Sequence, residues 1–167
     1  MEFLLLTGLR RGDMAQVGRQ HIRDGILTLR TGKTGAIVTV ALPASLLEMI
    51  EETPSGAMHL ITKEGGQPYT VESFGNWFHD QCRSAGIEKN AHGLRKLSAT
   101  LAAEGGAAAH ELMAQYGWAK ISQAEIYTKG ADRVRLGLRN SSVVAEQIGN
   151  IKPRTKNPGA GKVANSK

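Results

Sequence analysis

Apolar residues fall into short runs that glycine punctuates, and their period changes along the chain. Residues 3–6 form an apolar run closed by Gly8, the pattern of a helix end that starts without a cap, as if the chain began inside an element. Residues 10–17 predict a second short helix, ended by Gly18. Residues 21–23 and 26–30 have β character, and Asp24-Gly25 between them is a two-residue hairpin signal. In residues 36–42, Ile37, Thr39 and Ala41 alternate with Val38, Val40 and Leu42, the period of a strand with one buried face. Thr31-Gly32-Lys33-Thr34-Gly35 is the turn before it.

From Pro43 the period becomes helical. Leu46, Leu47 and Ile50 mark a helix that Thr53-Pro54 stops, and Val71, Phe74, Trp77/Phe78, Cys82 and Ala85 mark another with Gly86 at C′. Leu94, Leu97 and Leu101 mark a third, ending at Gly105-Gly106, and residues 107–116 a fourth, closed by Gly117. Ser122-Gln123-Ala124-Glu125 has the form of a capping box, which places Tyr127 in the second turn of a short helix ended by Gly130. Asp132 is placed to cap a last helix running to about Ile148. The expected fold class is α+β: mainly helical, with a small three-stranded antiparallel sheet.

The 167 residues, 41% apolar, suffice for one ordinary domain. No apolar run reaches the roughly 18 residues of a membrane span, and the N-terminal run is too short for a signal peptide. The single cysteine, Cys82, excludes an internal disulfide and a cysteine-based zinc site. A cytoplasmic protein with no membrane partner is expected. The net charge of +6 is unevenly placed: all 15 acidic residues and 16 of the 21 Lys and Arg precede position 151, so that body carries only +1. Lys152, Arg154, Lys156, Lys162 and Lys167 make a basic tail over residues 149–167, expected to be disordered.

Four segments stand out against this background: Thr7-Gly8-Leu9-Arg10-Arg11-Gly12-Asp13, the Lys33 turn, His92-Gly93-Leu94-Arg95, and Gly117-Trp118 with Tyr127 nine residues later. Their combination resembles the catalytic domain of tyrosine recombinases, the phage integrase family, over roughly residues 1–148. The resemblance implies the fold of the DNA breaking-rejoining enzymes and a set of roles. Arg10 and Arg95 would bind the scissile phosphate, and Lys33 would protonate the leaving 5′-oxygen. His92 would assist proton transfer, Trp118 would donate its indole N–H to the phosphate, and Tyr127 would attack to give a 3′-phosphotyrosyl bond. Asp13, three residues after Arg10, would orient that guanidinium. Double-stranded DNA is the implied partner, with self-association on it as a tetramer in synapsis, and no cofactor, metal or ATP is implied.

The chemistry explains why such residues belong together. A tyrosine of pKa about 10 is only about 0.1% ionised at pH 7, roughly 4 kcal/mol from its phenolate. Two arginines offer planar paired donors to the non-bridging oxygens, whereas a lysine acts as a point charge. Taken singly, each residue has an ordinary structural reading: Arg11 as a solvated helix face, Tyr116 as core beside Leu112 and Met113, Tyr69 in a loop after Pro68. His21, His59, His79 and His110 lack metal-ligand spacing, and Thr31-Gly32-Lys33-Thr34 lacks the frame of a nucleotide-binding loop. Trp118 departs from the commoner histidine and cannot exchange a proton. Arg10 stands almost at the start, where the family carries a separate DNA-clamp domain, so a catalytic fragment or a truncated product is expected. The alternatives are a non-catalytic DNA-binding remnant and, within the same chemistry, a type IB topoisomerase. Leu136, Leu138, Val143, Val144 and Ile148 are unusually apolar for a terminal helix, and in the resembling family this region docks on a neighbouring subunit.

Overall fold

The computed structural model describes residues 1–151 apart from Ala57 and Lys89. The basic tail beyond Ile151 therefore lies outside the described residues. The chain divides after Asp132 into two units. The first opens with α1 (Glu2–Thr7), whose Gly8 cap adopts a left-handed conformation with φ 60°, and α2 (Arg11–Met14). α2 is shorter than its sequence predicts. The Val17 carbonyl accepts from Leu60 N at 2.7 Å, and this contact draws the chain out of the helix toward the 58–60 segment.

A three-residue 3-10 turn, Arg19–His21, leads into the sheet β1 (Ile22–Arg23), β2 (Ile26–Arg30) and β3 (Ile37–Ala41), paired antiparallel in the order β1-β2-β3. Asp24 (φ 50°) and Gly25 (φ 74°) both take the positive φ that a tight hairpin matching the strand twist requires. Leu27 faces Val40 and Leu29 faces Val38, and all four are buried, so the predicted alternation holds. Each such side chain contributes about 1.5–3 kcal/mol of burial. α3 (Ala44–Glu52) follows Pro43, with Leu46 inside. Arg19 fixes its end by donating to Ile50 O at 2.7 Å and Ser55 Oγ at 3.2 Å and by pairing with Glu51.

α4 (Val71–Ser84) buries Phe74, Phe78 and Cys82 on its predicted stripe, and Thr70 caps it by accepting from Ser73 N at 3.1 Å. α5 (Ala91–Glu104) forms where expected but presents another face. Leu97 and Leu101 are 46% and 50% exposed, whereas Ala91, Arg95, Ser98, Ala99 and Ala103 are buried. α6 (Ala109–Tyr116) ends at left-handed Gly117. Two apolar clusters result, one built on the sheet and α1–α4, the other on Ala99, Ala103, Leu112, Tyr116 and Ala124.

α7 (Ile121–Asn150) corrects two expectations. It starts at Ile121, where Gln123 Oε1 accepts from Lys120 N at 3.4 Å, so Ser122 lies inside the first turn and is not its cap. Gly130 does not stop it and Asp132 does not open a new helix. A helical glycine costs only about 1 kcal/mol relative to alanine, which flanking good helix formers can absorb. In the second unit the described residues continue this helix, and Leu136, Leu138, Val143, Val144 and Ile148 are all exposed. Among the described residues no helix is long and apolar enough to cross a membrane.

Candidate active site

Arg10 stands just outside α2 as its N-cap, with extended backbone at φ −69° and ψ 152°. Asp13 is buried in the helix and faces two ways. Its Oδ1 accepts from Gly32 N at 2.8 Å, in the turn that carries Lys33, and its Oδ2 lies 4.0 Å from Arg10 Nη1. Oδ2 and Nη1 are both buried, and among the described residues neither has a hydrogen-bond partner. Asp13 thus anchors the lysine turn as well as facing the arginine. Sequence spacing indicated only the second relation.

The β2–β3 turn is a built object despite its glycines. Thr31 is buried, and its N–H donates to Ala36 O at 2.8 Å while its hydroxyl meets that of Thr34 at 2.7 Å. The Thr34 hydroxyl in turn donates to Gly117 O at 3.0 Å. Gly117 has φ 59°, and a Cβ there would sit 3.1 Å from both Thr31 Cγ2 and Val38 Cγ1, so any other residue is strained in its backbone and must push these neighbours aside. Lys33 is exposed at the tip, held between the segments that carry Arg10 and Trp118.

Asn90 caps α5 by accepting from Gly93 N at 3.0 Å, which sets His92 and Arg95 on the helix's first turns. Arg95 is only 6% exposed. Its Nη1 donates to Gly8 O and its Nη2 to Tyr116 O, each at 2.6 Å. Those oxygens lie at the C-terminal ends of α1 and α6, where unpaired carbonyls carry partial negative charge that favours a cation. Burial first, and then the charge of Arg10, bring Arg95 down to about 10, with Asp13 acting in the opposite sense. It remains protonated at neutral pH with three of its five N–H groups outside these two bonds. His92 is shifted below 6.5, by burial first and then by Lys96, Arg95 and Lys33, and is neutral at pH 7.

Three aromatic rings form a ladder beside Arg95. Tyr116 and Trp118 stack at 5.0 Å and 21°, and Trp118 and Tyr127 at 5.4 Å and 6°. The Arg95 guanidinium lies 5.3 Å from the Tyr116 ring centre and 5.5 Å from that of Trp118. Arg10, Asp13, Lys33, His92, Arg95 and Trp118 all line one cleft of about 1040 Å³. Tyr127 does not line it; it is half-buried on Trp118, near enough to Arg95 to raise that residue's proton affinity. Two cations not assigned from the sequence, Arg11 and Arg30, also line the cleft, so among the described residues five Lys and Arg line it against Asp13 as the one acid. Arg11 is exposed but borders the cleft, so the solvated-face reading is incomplete.

A small antiparallel sheet beside a helical body, with paired arginines and a lysine turn around one cleft, is the architecture of tyrosine recombinase catalytic domains. The sequence model of the phage integrase family matches residues 1–133, and the chain belongs to that family. Its fold is similar to that of XerA recombinase, with 21% identity over 81% of this chain and 54% of the other and a TM-score of 0.63. It is similar to lambda integrase, solved as a dimer bound to a COC′ core site, with 24% identity over 76% and 50% and a TM-score of 0.63. The Tn1549 transposon integrase, solved with circular intermediate DNA, gives 17% identity over 80% and 57% and a TM-score of 0.62. The chain spans about half the length of these structures. No curated protein sequence matches it.

Proposed function

We propose that residues 1–148 act as the catalytic part of a site-specific recombinase that cuts and rejoins double-stranded DNA through a 3′-phosphotyrosyl intermediate. The observation that carries this reading is the buried Nη1 of Arg10 at a cleft shared with Arg95: among the described residues it makes no hydrogen bond and has only the Asp13 carboxylate, 4.0 Å away. A buried guanidinium nitrogen without a hydrogen bond is costly and is satisfied by an incoming anionic oxygen. Arg10 and Arg95 bind the non-bridging oxygens, and the Trp118 indole N–H adds a third donor. Tyr127 leaves its stack, its oxygen bonds to phosphorus, and the bond from phosphorus to the 5′-oxygen breaks. Neutral His92 takes the phenol proton, and Lys33 gives one to the departing oxygen. The released 5′-hydroxyl of a partner strand reverses these steps, so the phosphodiester energy is conserved and neither ATP nor metal enters.

The solved relatives support the partner assignment. Lambda integrase is known as a tetramer bound to a Holliday junction, and XerH recombinase bound to its difH substrate in a pre-cleavage complex. For this chain we assign double-stranded DNA as partner, assembly on DNA as a tetramer and action in the cytoplasm.

The test is covalent capture. The protein is incubated with nicked half-site duplexes from its genomic neighbourhood without added metal, and the products are resolved on a denaturing gel. A protein–DNA band that disappears in Tyr127→Phe, with DNA binding retained, is expected. A band that persists in Tyr127→Phe would refute the nucleophile assignment. DNA binding without any band, even after a DNA-clamp domain is fused to the chain, would establish the binding-only reading instead.

A further inference from the structure

Tyr116 is the side chain on which the candidate site converges, although no motif marks it. It is 1% exposed. Its ring stacks on Trp118 at 5.0 Å and lies 5.3 Å from the Arg95 guanidinium, while its carbonyl accepts from Arg95 Nη2 at 2.6 Å. One residue therefore meets the guanidinium twice, with its ring and with its backbone, and meets the indole once. Gly8 also presses against the ring: a Cβ there would lie 2.7 Å from Tyr116 Cδ1. Gly8 also supplies the second carbonyl to Arg95.

The hydroxyl of Tyr116 meets the buried Ser98 Oγ at 2.6 Å. Ser98 lies three residues after Arg95 on α5, so the helix that delivers the arginine also delivers the group that anchors the outer end of the ring. The surroundings are Ala99, Ala103 and Leu112, where a hydroxyl without a partner would be costly. That cost fixes where the outer end of the ring lies, while the close approach of Gly8 and the stack on Trp118 limit the plane it can take. An aliphatic residue of similar volume would fill the space but offer neither the flat face nor the hydroxyl.

We propose that Tyr116 is a positioning residue for this site: its ring and carbonyl set Arg95 and Trp118 relative to one another, and the Ser98 hydroxyl anchors the outer end of the ring. The effect on cleavage rests on the recombinase reading; the effect on Trp118 does not.

The test uses the full chain carrying Trp77→Phe, which leaves Trp118 as the only tryptophan. Acrylamide quenching of Trp118, DNA affinity and cleavage rate at saturating DNA are measured for Tyr116→Leu, Tyr116→Phe and Ser98→Ala. Quenching rises most in Tyr116→Leu and less in the other two. Cleavage in Tyr116→Leu falls about 100-fold, the scale of a displacement near 1 Å in a positioned group. DNA affinity stays near that of the parent, and Tyr116→Phe recovers part of the rate. A folded Tyr116→Leu with parental quenching or parental cleavage overturns the proposal. If that variant does not fold, the other two decide, and parental values in both overturn it. If the parent cleaves no DNA even with a DNA-clamp domain fused to it, the recombinase reading fails and quenching alone decides the role of Tyr116.

Discussion

Gly8→Ala strikes the site through its backbone. Gly8 holds φ 60°, and the new methyl would enter the ring of a tyrosine that is itself pinned by Ser98. Gly35→Ala is the matched control, since Gly35 holds φ 67° with nothing within 4 Å of a Cβ. The left-handed conformation costs a non-glycine residue about 1–2 kcal/mol, and the stiffer unfolded chain returns about 0.4–1 kcal/mol. Gly35→Ala should therefore destabilise by roughly 0.5–1 kcal/mol. At Gly8 a core overlap worth about 1–3 kcal/mol adds to that, for roughly 2–4 kcal/mol in all. Urea unfolding of both variants against the parent measures the difference at constant slope. If the two variants agree within about 0.5 kcal/mol, the Tyr116 ring has room to move and the packing argument is wrong. Because Gly8 O is an acceptor for Arg95, the same variant should also cleave DNA more slowly under conditions where it is fully folded.

Asp13→Ala releases Gly32 N, so hydrogen exchange at the Gly32 amide should accelerate and stability should fall by about 2 kcal/mol, the scale of a hydrogen bond to a charged group. Unchanged exchange would show that the lysine turn holds itself. His92 has a folded pKa below its unfolded 6.5, so the unfolded chain binds the proton first and stability declines as pH falls below about 6.5, levelling off below the folded pKa. Thermal midpoints between pH 8 and 5 should drop more for the parent than for His92→Gln; equal drops would refute the assignment.

The elements that depend on local chemistry are legible in the chain. Asp24-Gly25 specifies its hairpin because both residues tolerate positive φ, and the alternation through Val38 and Val40 specifies the buried face. Arg10, Lys33 and Arg95 could be placed at the cleft because they sit in motifs of fixed order, whereas Arg11 and Arg30, outside those motif positions, could not. What escapes is non-local. Asp13 reaches Gly32, Thr34 reaches Gly117 and Ser98 reaches Tyr116, each across a separation that spacing rules do not sample. The leucines of α5 mark a helix correctly but not its buried side, because the core there is made of small residues around an arginine. Gly130 misleads for a different reason: a modest propensity penalty does not end a helix whose neighbours favour continuing it.

The counter-charge that Arg95 meets at its two nearest oxygens belongs to main-chain carbonyls of residues 8 and 116. No side-chain exchange at either position deletes those acceptors; only a new path for the chain can. Sequence drift around this arginine can therefore change ring stacking and packing while the carbonyl pairing persists. Redirecting the guanidinium would require shifting the ends of two helices together, which single substitutions seldom accomplish.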